Sequence, residues 1–368
     1  MFAPCLRLVA VLAILSLVAG LEKAEEVLIG WQGDSYKPKL TFPDDDPSTT
    51  SDSASAHEDT NNDTKPWIQV LSWKPRAFVY HNFLSQAEVA HILRLARPLM
   101  KRSMVVGANN SGTVDNVRTS AGTFLPRNQD RVIASLEHRL SMVSHLPVSH
   151  QEDLQVLRYG VSNKYGPHCD GLGRVMSVLI YLVAPEEGGE TAFPQANAWL
   201  HPEVGEPRQG PFSQCAKGHV AIKPKTGDML MFYDKIPSYL EEDRFSEHTG
   251  CPVIRGTKWN AVKWIHGEPF QPEQFAKQLQ KDPDEPGTLI DPGICADLHE
   301  QCANWANGGE CTKNPEYMLG HTDGRGMCRK VCNDCTACGD GDTECLQKNR
   351  QAAGFMSIDA AEFKGLLD

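Results

Sequence analysis

The chain has 368 residues, 40% hydrophobic and 8% aromatic, which is enough for one sizeable core and a smaller second unit. Its formal charge of -11 sits in the flanks: residues 1–66 hold 5 Lys/Arg against 11 Asp/Glu and residues 271–368 hold 9 against 17, while 67–270 is nearly neutral at 22 against 19. A near-neutral middle between acidic flanks excludes the basic stripe that nucleic-acid binding requires.

In chain order, the first twenty residues carry Arg7, an apolar run over 8–18, and then Ala19 and Gly20. The run is shorter than the roughly 20 residues of a comfortable bilayer span. Residues 1–20 therefore read as a signal peptide, with an uncleaved membrane anchor over 8–20 as the other reading. Either directs the chain into the secretory pathway, the endoplasmic reticulum and Golgi lumen, where 12 cysteines read as a disulfide set rather than as cytosolic thiols. Sequons at Asn62 and Asn109 fit that compartment. Residues 21–66 are an acidic stem whose second half is Asp, Ser, Thr and Pro with almost no large apolar side chain, a composition that stays disordered.

From Trp67 the pattern changes. Ser85 with Glu88 makes a capping box, and Val89, Ile92, Leu93, Ala96 and Leu99 follow at helical spacing. A second helix is predicted over 130–143, with Ile133, Leu136 and Leu140 on one face. Short β-rich runs follow at 154–159, 175–183, 191–193, 219–222, 229–233 and 258–265, separated by Gly- and Pro-containing turns. The run 175–183 is apolar on both parities, as in a strand covered on both faces. Two leading helices before a series of strands predict a mainly β fold, a double-stranded β-helix or jelly roll with helical support, over 67–270. Five prolines among acidic and amide residues then mark a linker, 271–293 in its core extent.

The chemistry concentrates on this strand series. In an extended chain residues i and i+2 point the same way, so His168 and Asp170 share a side and Cys169 faces away. His248, far along the chain, is the candidate third ligand. Two histidines and one carboxylate on one face leave coordination positions open, the arrangement of Fe(II) oxygenases. Along 258–264, alternation puts Lys258, Asn260, Val262 and Trp264 on one side and Trp259, Ala261 and Lys263 on the other. A lysine buried among such neighbours requires an anion. The far carboxylate of 2-oxoglutarate is such an anion, and the Thr191 hydroxyl adds a hydrogen bond.

His168-Cys169-Asp170, Gly188-Gly189-Glu190-Thr191-Ala192-Phe193-Pro194, Lys223-Pro224-Lys225-Thr226-Gly227-Asp228 and the stretch from His248 to Trp259 resemble the catalytic domain of the prolyl 4-hydroxylases of plants and algae, over about residues 70–270. The resemblance implies that His168, Asp170 and His248 hold iron. It implies that Lys258 and Thr191 take the 2-oxoglutarate carboxylate with Tyr159 beside it, and that Tyr165, Arg174 and Trp264 line the substrate channel. It also implies hydroxylation of proline in polypeptides, with 2-oxoglutarate and oxygen converted to succinate and carbon dioxide and ascorbate as reductant. Extended proline-rich or hydroxyproline-rich glycoproteins are the expected substrate. The segment 118–124 resembles the family's approach to its mobile substrate loop, against the plain reading of a strand after a polar loop. Two departures stand out: Cys169 replaces the usual aromatic residue, and only Gly171, Leu172 and Gly173 separate Asp170 from Arg174. Both bear on substrate choice rather than on iron.

Residues 294–336 hold Cys295, Cys302, Cys311, Cys328, Cys332 and Cys335 in a segment too short for a core of its own. With Asn304-Trp305-Ala306, Gly309-Glu310-Cys311 and Asn314-Pro315-Glu316-Tyr317-Met318, this small disulfide-rich domain is similar to the ShK-toxin-like domain, which implies first-to-sixth, second-to-fourth and third-to-fifth bridges. Zinc at Cys332, Cys335 and Cys338 is the competing use. Further bridges are expected at Cys215–Cys251 and Cys338–Cys345, with Cys169 alone. Residues 337–368 read as a C-terminal tail. The enzyme reading competes with a related oxygenase acting on another residue and with a non-catalytic secreted binding protein. The presence of all three ligand candidates and of Lys258 favours the enzyme.

Overall fold

A computed structural model describes residues 65–103, 105–106, 112–113, 119–238, 241–283, 291–320, 326–363 and 365–367. The signal or anchor segment, the stem and both sequons lie outside the described residues. No helix among the described residues is long and apolar enough to cross a membrane.

The strands in chain order are β1 Trp67–Trp73, β2 Arg76–His81, β3 Lys101–Arg102, β4 Val105–Val106, β5 Gly112–Thr113, β6 Ala121–Leu125, β7 Leu154–Tyr159 and β8 Tyr165–His168, followed by β9 Arg174–Val183, β10 Glu187–Gly188, β11 Thr191–Phe193, β12 Val220–Ile222, β13 Met229–Tyr233, β14 His248–Gly250, β15 Val253–Arg255 and β16 Lys258–His266. Eight of them form a major sheet in the order β1-β2-β13-β9-β16-β7-β6-β3, and four form a minor sheet, β12-β11-β14-β8. The pairings within both sheets are antiparallel, as in a jelly roll.

Side-chain alternation divides the major sheet between two cores. Met176, Val178 and Ile180 of β9, with Trp259, Ala261 and Ile265 of β16, pack under two helices. Leu179 and Tyr181, with Val262 and Trp264, turn to the opposite face and meet Phe193 and Ile222 of the minor sheet. This explains why 175–183 is apolar on both parities. The supporting helices are Gln86–Ala96 and Arg131–Ser144. Ser85 closes its capping box with Glu88, and Asp130 caps the second helix through Val132 and Ile133, contacts worth about 1 kcal/mol each. The hairpin of β1 and β2 was not legible as strands, because aromatic, basic and proline residues interrupt its alternation.

Among the described residues there are five disulfides, Cys295–Cys335, Cys302–Cys328, Cys311–Cys332, Cys215–Cys251 and Cys338–Cys345, and Cys169 is free and exposed. The three cysteines considered for zinc are therefore all bridged.

Two segments differ from their sequence reading. Within 271–293 the residues Pro272–Gln278 are helical, and the segment docks on the main domain. Buried Arg127 donates through Nε to Gln278 Oε1 at 3.0 Å and through Nη1 to the Phe270 carbonyl at 2.9 Å. Within 337–368, Thr343–Ala352 is a helix, and Ile358 and Phe363 are buried in the helix-side core. Both segments are polar overall, and the few apolar residues that fix them find partners more than a hundred positions away.

Candidate active site

The site lies between the sheets, where β8, β11 and β14 face β7, β9 and β16 across a narrow cavity. His248 opens β14 directly opposite His168, which closes β8. Asp170 is not in the strand, as alternation had assumed. β8 ends at His168, and the turn through Gly171, Leu172 and Gly173, all at positive φ, brings the chain round to β9. The carboxylate nevertheless reaches the histidines, with Oδ1 at 3.5 Å from His168 Nε2 and Oδ2 at 3.9 Å from His248 Nε2. The ligand atoms of the three residues lie within 4.8 Å of one another.

The surroundings fix which atoms are offered. His168 Nδ1–H donates to the Gly166 carbonyl at 2.8 Å and His248 Nδ1–H to the Ser246 carbonyl at 3.1 Å, so both Nε2 atoms present lone pairs to the cavity. Burial, and after it His168, lowers His248 to about 4, keeping that imidazole neutral. Burial alone would push Asp170 up, but His248, His168 and the Ser177 hydroxyl hold it well below the usual carboxylate range. Ser177 Oγ bridges Asp170 Oδ2 at 2.5 Å and Asp234 Oδ2 at 2.8 Å. One hydroxyl has one hydrogen, so it satisfies both carboxylates only when Asp234 carries a proton. Burial and the nearby Asp170 charge accordingly push Asp234 well above its ordinary value. Two imidazole Nε2 atoms and one carboxylate facing a common point fit a divalent iron.

Lys258 lies further along the cavity, 3% exposed, with Nζ donating to the Gly189 carbonyl at 2.8 Å. Among the described residues no carboxylate forms an ion pair with it. Glu190, the acid whose charge acts on it, is committed to the Ser213 amide and hydroxyl, each at 2.8 Å. Burial depresses Lys258 to about 7, partly offset by Glu190. Its Nζ lies 5.7 Å from the Tyr159 ring centroid and 5.5 Å from that of Tyr181. The Tyr181 hydroxyl donates to Thr191 Oγ1 at 2.9 Å, which leaves the Thr191 hydroxyl hydrogen free to turn towards an anion beside Lys258.

Eight of the nine sequence-derived residues thus share one cavity: Tyr159, Tyr165, His168, Asp170, Thr191, His248, Lys258 and Trp264. Arg174 stands apart. Its guanidinium lies 3.7 Å above the Trp264 ring, Nε pairs with Glu152 Oε1 at 2.7 Å, and Nη1 donates to the Asp170 carbonyl at 3.1 Å. It holds the turn and the indole rather than the cavity wall. Sequence reasoning missed Ser177, Tyr181 and Asp234. The signal for the first two was there: they are polar or hydroxylated side chains on the Leu179 parity of an otherwise apolar strand. Asn260 Oδ1 and Trp264 Nε1 belong to residues that line the cavity, and among the described residues neither atom has a hydrogen-bond partner, so both are available to a water or a ligand there.

The family described as the 2OG-Fe(II) oxygenase superfamily matches residues 154–266. The chain is 41% identical over 283 residues to Prolyl 4-hydroxylase 2 of Arabidopsis thaliana, covering 73% of this chain and 88% of that one. It is 40% identical over 281 residues to Probable prolyl 4-hydroxylase 4 of the same plant, again covering 73% and 88%. Among solved structures, the 2OG complex of a viral collagen prolyl hydroxylase from Paramecium Bursaria Chlorella virus-1 aligns with a TM-score of 0.38 and 24% identity, over 51% of this chain and 94% of that one.

Fold and site together define an Fe(II)- and 2-oxoglutarate-dependent dioxygenase, an oxidoreductase. Within that class, the chain belongs to the prolyl 4-hydroxylase family.

Proposed function

We propose that this chain hydroxylates proline in extended, proline-rich polypeptides, hydroxyproline-rich glycoproteins among them, in the lumen of the secretory pathway. The observation that carries the reading is the buried amine of Lys258, which among the described residues has a carbonyl and no acid for a partner, in the same cavity as His168, Asp170 and His248. Polyproline II chains suit such a site because their rings stand clear of internal hydrogen bonds.

His168, Asp170 and His248 would hold iron(II), which supplies the redox chemistry that couples oxygen to the conversion of 2-oxoglutarate into succinate and carbon dioxide. Lys258 and Thr191 take the far carboxylate of 2-oxoglutarate, fixing it along the cavity. Tyr181 sets the Thr191 rotamer and Tyr159 flanks the amine. Leu157, Leu179 and Val262 exclude water, which strengthens the ion pair. The Trp264 N–H, held in place by Arg174, meets a carbonyl of the peptide, and Tyr165, stacked on His168 at 3.7 Å, walls the proline side. Positioning one C–H bond is the protein's main contribution. Ascorbate would serve as the reductant that keeps such a site in the iron(II) state.

The five disulfides support an oxidising lumen, entered through residues 1–20 as signal peptide or, over 8–20, as membrane anchor. The disulfide-rich domain at 294–336, of ShK-toxin-like type, targets the enzyme to its substrate or to the wall. The testing experiment incubates the protein with iron(II), 2-oxoglutarate, ascorbate and three peptide sets: proline-rich, collagen-like, and lysine-containing without proline. Gain of one oxygen on proline, located by mass spectrometry, is the expected result. Oxygen incorporated only on lysine, or turnover of free amino acids alone, contradicts the reading.

A further inference from the structure

Residues 355–363 lie almost a hundred positions beyond the catalytic strands, yet they line the back of the two strands that carry the co-substrate anchor. Lys258 is the first residue of β16 and Tyr159 the last of β7, and they are register partners. Trp259 and Arg158 form the next pair. Alternation turns Lys258 and Tyr159 to the cavity and Trp259 and Arg158 to the opposite face. On the other side of β16, pairing with β9 begins only at Trp259 and is bulged between Trp259 and Asn260. The anchor lysine thus sits at a strand end held by one neighbour, the kind of position that opens first.

One carboxylate spans both strands at that end. Glu362 accepts from Arg158 Nε at 2.9 Å and Nη2 at 2.5 Å, and from Trp259 Nε1 at 3.1 Å. Phe363, 1% exposed, packs on the Trp259 ring at 5.1 Å. Upstream, the Arg97 side chain donates to the Ile358 carbonyl at 3.0 Å and the Met356 amide to the Met100 carbonyl at 2.7 Å. The segment therefore crosses the helix layer as a strap fastened at both ends.

We propose that this strap locks the β16–β7 end from behind and so fixes Lys258 and Tyr159 for 2-oxoglutarate, with Glu362 as a positioning residue. The inference rests on the reading of Lys258 given above. It also makes the segment after the disulfide module part of the catalytic domain, so a chain ending near Pro283 loses a wall of the anchor.

The test compares full-length Glu362→Gln, Arg158→Lys and Lys258→Ala with the natural chain, and uses Glu344→Gln, an exposed pair with Lys348, as a silent control. Glu362→Gln keeps shape and one acceptor but loses the charged fork. Expected is a rise of about three- to tenfold in KM for 2-oxoglutarate, the effect of up to about 1.4 kcal/mol. The kcat at saturating 2-oxoglutarate and the iron affinity stay at the natural level, a split that mere loss of stability does not produce. Faster amide exchange at 158–159 and 258–259 accompanies it. Arg158→Lys gives the same direction and carries the test if Glu362→Gln does not fold. If Lys258→Ala raises KM while the folded Glu362 and Arg158 variants leave it unchanged, the strap inference is overturned and the anchor stands. If Lys258→Ala itself leaves KM unchanged, the anchor reading fails and the strap inference falls with it.

Discussion

Lys263 is buried as deeply as Lys258, five residues along the same strand, but its Nζ lies 2.5 Å from Glu137 Oε1. The two lysines face opposite sides of β16, and among the described residues only the one facing the helices pairs with an acid. Glu137 is itself tied down, its other oxygen accepting from the Asn128 amide at 3.0 Å. Glu137→Ala therefore strands a buried cation and is expected to cost about 3–5 kcal/mol. Chemical denaturation checks this, and the folded fraction should keep its natural KM for 2-oxoglutarate, because the pair never touches the cavity.

Ser177 orients the carboxylate of Asp170 from behind. Groups in that position typically change metal affinity by about 10–100-fold. Ser177→Ala is expected to weaken iron binding in that range, measured by competition with a chelator, with both hydroxylation and uncoupled 2-oxoglutarate decarboxylation recovering at high iron.

How 2-oxoglutarate binding varies with pH follows from Lys258 at about 7. Below that value the amine is charged with or without the co-substrate, and affinity is flat in pH. Above it the empty site is neutral, whereas the bound carboxylate raises the amine, so binding takes up a proton and affinity falls by up to about tenfold per pH unit. On the acid side, protonation of His248 near 4 competes with the metal. A direct titration of binding between these limits checks the sign, and Lys258→Arg should move the alkaline fall to higher pH.

The Cys215–Cys251 bridge spans 36 residues and ends just after the strand carrying His248. Its removal by paired serine substitutions is expected to cost about 4 kcal/mol on chain-entropy grounds. Thermal unfolding with and without the substitutions gives the value.

Much of this site was readable before any coordinates because strands carry a period of two. Lys258, Asn260, Val262 and Trp264 separated cleanly from Trp259, Ala261 and Lys263, and the structure sends those two sets to opposite cores. The ligand triad was legible as chemistry, although Asp170 lies two residues past the end of its strand, just before a left-handed turn, rather than within the strand. What stayed hidden depended on distance along the chain. Nothing in a polar tail announces that Glu362 meets Arg158 across 204 positions, or that Gln278 meets Arg127 across 151. The contacts of Arg174 stayed hidden for a related reason: its partner Glu152 comes from a separate segment.

Under the proposed function, Lys258 is the cation for the far carboxylate of 2-oxoglutarate and takes no part in holding iron. The direct measurement is the KM for 2-oxoglutarate and the iron affinity of folded Lys258→Ala, beside His168→Ala, Asp170→Ala and His248→Ala. Removing the amine breaks a buried ion pair worth about 3–5 kcal/mol, so KM should rise by roughly two to three orders of magnitude at about 1.4 kcal/mol per tenfold, while iron affinity stays natural. The three ligand variants should instead lose iron, and with it both hydroxylation and uncoupled decarboxylation. Natural 2-oxoglutarate dependence in folded Lys258→Ala would contradict the account.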